Sequence, residues 1–314
     1  MIKIGAIFAG QGAQYAGMGL KLINYKAGKE TFKEANDVLN MDIEKLCCEG
    51  TGEELADTAV TQPAIVTCSI ALFRIFQSEA VNITEFGSFN SFDISATAGL
   101  SVGEYSALVV SGALTFADAL RLVKERGKLM AEAGRINPGT MLAIMGLDEA
   151  TIKSICEEAS SLGIVQPANY NCPGQIVVSG QKDAVQKAQE LAQKAGAKRC
   201  IPLDVSGAFH SPLMRPAEDG LRNALKEISF SKPSIPFIAN VTGDYLYDPD
   251  EIKEMLALQL TNPIQWEKCV LKMANDGVET FIEFGPGKVL SGLVRRICQK
   301  AKVFNMEGII GSDQ

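Results

Sequence analysis

The chain has 314 residues, 46% hydrophobic and 21% charged, enough to bury a sizeable core and too apolar for a disordered chain. Thirty Lys and Arg against 37 Asp and Glu leave a formal charge of −7, which argues against a nucleic-acid partner. No run reads as the roughly 18–20 apolar residues of a membrane span, and residues 2–9 are too short for a signal sequence, so a cytoplasmic protein with no membrane partner is expected.

In chain order, residues 2–8 read as a strand that runs into the turn Gly10-Gln11-Gly12. A helix is predicted from Thr61, as cap with Pro63 in its first turn, to about Gln77. Residues 94–98 form a buried strand that passes through Gly99-Leu100-Ser101-Val102-Gly103 into a helix, and 115–133 form the next helix. Residues 140–205 then run strand, helix, strand, strand, helix, strand, the βαββαβ order of a ferredoxin-like unit. Residues 279–284 are a further strand, 285–287 a turn and 288–300 a helix. The fold class is α/β with a largely parallel sheet. A discontinuous large domain (1–136 and 207–314) is expected to be interrupted by a small one (137–206).

There is one histidine, and none of the eight cysteines forms a C-x-x-C pair, so neither a metal site nor a disulfide framework is predicted. The G-x-S-x-G at residues 99–103 lies between strand and helix. That sharp turn has little room for flanking side chains, hence the glycines, and it projects a serine hydroxyl clear of the backbone. The bland alternative is a serine cap with glycines for packing. As a nucleophile, Ser101 would have the backbone N–H of Val102, at a helix N-terminus, beside a developing oxyanion.

A serine nucleophile needs a base, and His210 is the one imidazole in the chain. It precedes Ser211 and Pro212, read as cap and first residue of a helix whose N-terminus would keep the imidazole neutral. Asp204 is the nearest carboxylate in sequence, with no obvious claim to be the third member of a triad. Arg126 falls in the middle of an apolar helical face formed by Ala119, Leu122, Val123, Leu129, Met130 and Ala133. A buried guanidinium needs an anion, either a carboxylate of this protein or the carboxylate of an acyl substrate. The 10–15 turn has Tyr15 where a dinucleotide fingerprint needs its third glycine, so backbone donation from Gln11 to an oxyanion fits it better than a nucleotide role.

Taken together, FAGQGAQ (8–14), TQPAI (61–65), GLSVGEYSAL (99–108), RLVKERGKLM (121–130), NYNCPGQIVVSG (169–180), GAFHSPLM (207–214), QLTNPIQW (259–266) and EFGPGKVLSGL (283–293) resemble the malonyl-CoA:acyl carrier protein transacylase family in order and spacing. The resemblance implies an α/β-hydrolase-like large domain with an inserted ferredoxin-like one. It implies that Ser101 takes malonyl from malonyl-CoA as an ester and passes it to the phosphopantetheine thiol of holo acyl carrier protein for fatty-acid synthesis. His210 would be the base, the Gln11 and Val102 amides the oxyanion hole, and Arg126 the carboxylate clamp. It further implies that Gln62 lines the pocket, that Phe209 opposes an α-methyl branch, and that the backbone carbonyl of Gln259 orients the histidine. No cofactor is implied. Two residues depart from the family pattern, Leu100 for a histidine and Ala9 for a proline. Rival readings are a serine thioesterase or esterase, a malonyl loader for a polyketide synthase, and a binding module without catalysis.

Overall fold

The computed structural model describes residues 2–78 and 93–310. Residues 1, 79–92 and 311–314 of the expected large domain lie outside the described residues. The chain opens with β1 (Lys3–Phe8), in which five of six residues are buried, as befits a central parallel strand covered on both faces. Helices α1 (Lys26–Leu39), α2 (Ile43–Glu49) and α3 (Thr58–Ser78) follow, then β2 (Asp93–Gly99), α4 (Gly103–Val110) and α5 (Phe116–Ile136).

Helix α3 departs from the sequence reading in two ways. It starts three residues before Thr61, because Asp57 is the better cap: its carboxylate accepts from the Ala59 N–H at 3.0 Å, and its carbonyl accepts from Thr61 N at 2.8 Å. Pro63 therefore sits inside the helix, where it forfeits only its own bond to the Ala59 carbonyl. At 21 residues α3 is also long and apolar enough to cross a membrane, which the sequence reading denied for every segment. Its apolar surface is spent inside the protein, against α1 and α5.

Residues 140–202 form β3 (Thr140–Met145), α6 (Glu149–Ala159), β4 (Val165–Cys172), β5 (Gln175–Gly180), α7 (Lys182–Lys194) and β6 (Arg199–Pro202). Their antiparallel sheet has the order β4-β5-β3-β6, the ferredoxin-like arrangement anticipated from the element sequence. The chain then adds α8 (Arg215–Lys226), β7 (Phe237–Ala239), β8 (Asp244–Leu246), α9 (Pro249–Leu258), α10 (Trp266–Asn275), β9 (Thr280–Phe284), α11 (Val289–Ile297), β10 (Lys302–Asn305) and α12 (Met306–Ile310). Helix α11 stops short of the expected residue 300. The strand β10 that follows escaped the sequence reading because, at a sheet edge and only half-buried, it carries no apolar run.

The larger sheet has the order β10-β9-β1-β2-β7-β8, parallel except for β8. Phe8 pairs with both Gly99 and Phe284, so the C-terminal ends of β1, β2 and β9 lie side by side. In open parallel sheets this is the edge at which ligands bind. The small sheet meets the rest of the chain at β4, whose Tyr170 N–H donates to the carbonyl of Ile264, between α9 and α10, at 2.9 Å and whose Ala168 carbonyl accepts from Ile264 N at 2.8 Å.

Candidate active site

Leaving β2, the backbone turns so sharply that a Cβ on Gly99 would lie 2.0 Å from the Gly103 carbonyl carbon, and one on Gly103 would lie 2.3 Å from the Phe8 carbonyl oxygen. Only glycine fits at either place. Between them Ser101 adopts φ +51°, a left-handed conformation that costs a non-glycine residue about 1–2 kcal/mol and is held by its surroundings. Asn240, just past β7, supplies part of that hold: its Oδ1 accepts from Ser101 N at 2.8 Å and its Nδ2 donates to the Gly99 carbonyl at 2.8 Å. Glu104 is buried beneath this turn, accepting from the Asn240 backbone N–H and from Gln259 Nε2. Burial pushes its carboxyl up to about 8, against the pull of those two donors and of the Arg126 charge.

Ser101 Oγ lies 3.0 Å from His210 Nε2. On the other side of the ring, Nδ1 is 2.7 Å from the Gln259 carbonyl oxygen, which can only accept, so Nδ1 carries the proton and Nε2 is free to take one from the serine. A backbone carbonyl thus fills the place of a triad acid, while Asp204 is exposed. The imidazole is buried, and its pKa falls from 6.5 to about 4, chiefly through burial, then through the nearby Arg126 charge, with the Gln259 carbonyl opposing. The expected helix-terminus effect gives way to these two causes. Ser211 stands at the expected cap position but is not a side-chain cap: its hydroxyl donates back to the Ala208 carbonyl at 2.6 Å, and the expected helix begins as a 3-10 turn at Pro212–Met214 that runs straight into α8.

This titration has two measurable consequences. Free-enzyme kcat/KM is expected to stay level as pH falls from 8 to about 5 and to decline only near 4, where a pH profile would otherwise place an ordinary histidine near 6.5. For stability, the unfolded chain takes up the histidine proton before the folded one does. His210 therefore leaves stability unchanged above pH 6.5 and removes about 3 kcal/mol as pH falls from there to about 4. Denaturant titrations at several pH values would measure the loss.

Arg126 is fully buried in the middle of α5, where its helical position placed it. Its Nη1 donates to Gln62 Oε1 at 2.7 Å, and its Nη2 donates to Gln259 Oε1 at 2.7 Å and to Ser101 Oγ at 3.1 Å. Its Nε has no partner. Among the described residues no carboxylate forms an ion pair with it, so the structural pairing considered from sequence is not made. Three neutral oxygens hold a buried cation next to the serine.

Beside this cluster, the turn after β1 packs on the serine turn so closely that a Cβ on Gly10 would lie 2.4 Å from the Leu100 carbonyl oxygen. Gln11 is half-buried there, and Val102 is the buried N-cap of α4, at the end of the helix where backbone N–H groups lack intrahelical acceptors. Phe209 is buried next to His210. Leu100 packs against an apolar cluster that includes Ile7, Ala98 and Leu290. Ala9 uses the N–H that a proline would lack, donating to the Phe284 carbonyl at 3.1 Å. Sequence reasoning missed Asn240, the side chain of Gln259, the buried role of Glu104, and Gln166, whose Nε2 reaches the carbonyls of His210 and Thr261. Only Glu104 and Gln259 stood in quoted motifs, and no spacing rule pointed to their contacts.

A serine and a neutral histidine at the C-terminal edge of a parallel α/β sheet suit acyl-group chemistry, and the acyl transferase domain family matches residues 6–314. Within that class the chain belongs to the malonyl CoA-acyl carrier protein transacylase family. It is similar to the Bacillus subtilis (strain 168) malonyl CoA-acyl carrier protein transacylase, 44% identical over 304 residues that cover 96% of this chain and 92% of that one. The crystal structure of an acyl carrier protein S-malonyltransferase from Vibrio cholerae matches at a TM-score of 0.89 and 42% identity, covering 96% of both chains. A malonyl-transacylase in complex with a type II PKS acyl-carrier protein matches at 0.91 and 39% identity, covering 99% of this chain and 98% of that one.

Proposed function

We propose that this protein moves a malonyl group from malonyl-CoA to the phosphopantetheine thiol of holo acyl carrier protein in the cytoplasm, supplying fatty-acid synthesis. Ser101 Oγ gives its proton to His210 Nε2 and attacks the thioester carbonyl, whose oxygen becomes an anion facing the Gln11 and Val102 amides. Collapse breaks the C–S bond, and the imidazolium returns the proton to the leaving coenzyme A thiolate. The carrier thiol then repeats the sequence in reverse on the malonyl ester, giving up its proton to His210 and releasing the serine hydroxyl. No net charge or redox change is left over.

The observation that carries this reading is Arg126, a buried cation with only neutral partners beside the nucleophile. A malonyl carboxylate supplies the missing anion, and it fits a planar guanidinium in a bidentate pair. Gln62 and Gln259 hold that guanidinium in place, and Phe209 disfavours a branched acyl chain. The segment 137–206 is a small domain inserted between 1–136 and 207–314.

The relative bound to a type II PKS carrier favours a second reading, the same transfer toward a polyketide carrier. Incubation with malonyl-CoA and each holo carrier, with malonyl-carrier and free malonate both quantified, tests the proposal. Carrier loading in large excess over malonate release is expected. Malonate release that is equally fast with and without carrier would instead make the protein a thioesterase.

A further inference from the structure

His210 is held in a left-handed conformation, φ +57°, and its orienting partner Gln259 belongs to a different segment, past the end of α9. Nothing in a single helix or strand fixes these two segments relative to each other. A side chain of the small sheet bridges them: from β4, Gln166 Nε2 donates to the carbonyl of His210 at 2.9 Å and to the carbonyl of Thr261, two residues beyond Gln259, at 3.1 Å. The same strand grips the 261–264 segment again through its backbone, at Ala168 and Tyr170. Thr261 is anchored from its other side by its hydroxyl, which donates to buried Glu218 at 2.5 Å.

Building on the function proposed above, we infer that Gln166 is a positioning residue for the transfer: it ties the His210 segment to the Gln259 segment, so that β4 of the small sheet sets the aim of the catalytic base. Both steps of the reaction use His210, and both therefore depend on this tie. Gln166 makes no hydrogen bond to Arg126; Gln259 does, through its side chain, but Gln166 reaches that segment at the Thr261 carbonyl, so its loss is expected to fall on acylation far more than on acyl-carboxylate binding. A side chain that only filled space would do as well if it were apolar and of comparable volume. The chemistry requires a donor, because both groups it meets are carbonyl oxygens.

Two variants separate these roles: Gln166→Leu keeps a comparable volume and loses the donor, and Gln166→Glu keeps the shape and presents a charged acceptor to the two carbonyls. Rapid-quench measurement of Ser101 acylation by malonyl-CoA is expected to find rates lowered by roughly 10- to 100-fold in Gln166→Leu and at least as much in Gln166→Glu, the size typical of misaligned groups. KM for malonyl-CoA should stay within about threefold of the unaltered protein. Unaltered acylation rates in either variant would overturn the inference. So would a loss carried by KM, or one that follows the loss of folded protein in thermal melts of both variants. The unaltered protein is run first: its failure to acylate would overturn the function itself, whereas its success with normal variants would overturn only the role of Gln166.

Discussion

Replacing Arg126 with alanine is expected to lower malonyl transfer by about 10³-fold or more while leaving acetyl transfer unchanged or raised. The asymmetry follows from what each substrate does to a buried cation. Malonyl brings a carboxylate to a guanidinium whose present partners are the neutral oxygens of Gln62, Gln259 and Ser101. Acetyl buries the same guanidinium without an anion, and sites that strand a polar group in this way discriminate by roughly 10³ to 10⁵. Removing the charge abolishes the advantage of one substrate and the handicap of the other. Steady-state transfer to holo carrier from malonyl-CoA and from acetyl-CoA, measured side by side, reads the ratio directly. Equal loss for both substrates would mean that Arg126 supports the serine turn and does not recognise the acyl group.

The second large effect belongs to the base. His210→Ala is expected to slow acylation of Ser101 by about 10⁴-fold, near the upper end of general-base contributions. The chain has no other imidazole to take over the proton. Gln259 offers the ring only a carbonyl, and the carboxyl group under the turn, Glu104, is occupied by the Asn240 and Gln259 donors. Rapid-quench acylation with malonyl-CoA measures the fall. A variant that keeps a tenth of the original rate would show that the serine is activated by something other than the histidine.

Much of this arrangement could be read from residue types and spacing, and the reasons for the remainder are specific. The α/β class and the βαββαβ segment were legible because buried strands appear as short apolar runs between glycine and proline turns. The start of α3 was not, because proline at Pro63 mimics a helix beginning while the effective cap, Asp57, lies six residues upstream. Ser101 and His210 stood out as a motif and as a unique residue. Arg126 was legible as buried from its place on an amphipathic helix, but its partners were not. They are amide oxygens from α3 and from the end of α9 and the Ser101 hydroxyl, brought together only by the fold. The same holds for Asn240 and Gln166. Each is a polar side chain whose role lies in meeting a backbone group far away in sequence, and such contacts leave no local pattern.

The central claim, that Ser101 carries malonyl between coenzyme A and the carrier protein, is tested most directly by intact-mass spectrometry after brief mixing with malonyl-CoA and then with holo acyl carrier protein. The account predicts one malonyl adduct on the protein, absent in Ser101→Ala, that disappears as the carrier gains the same mass. An adduct that decays to free malonate with no gain on the carrier, or a folded protein that never acquires one, would contradict it.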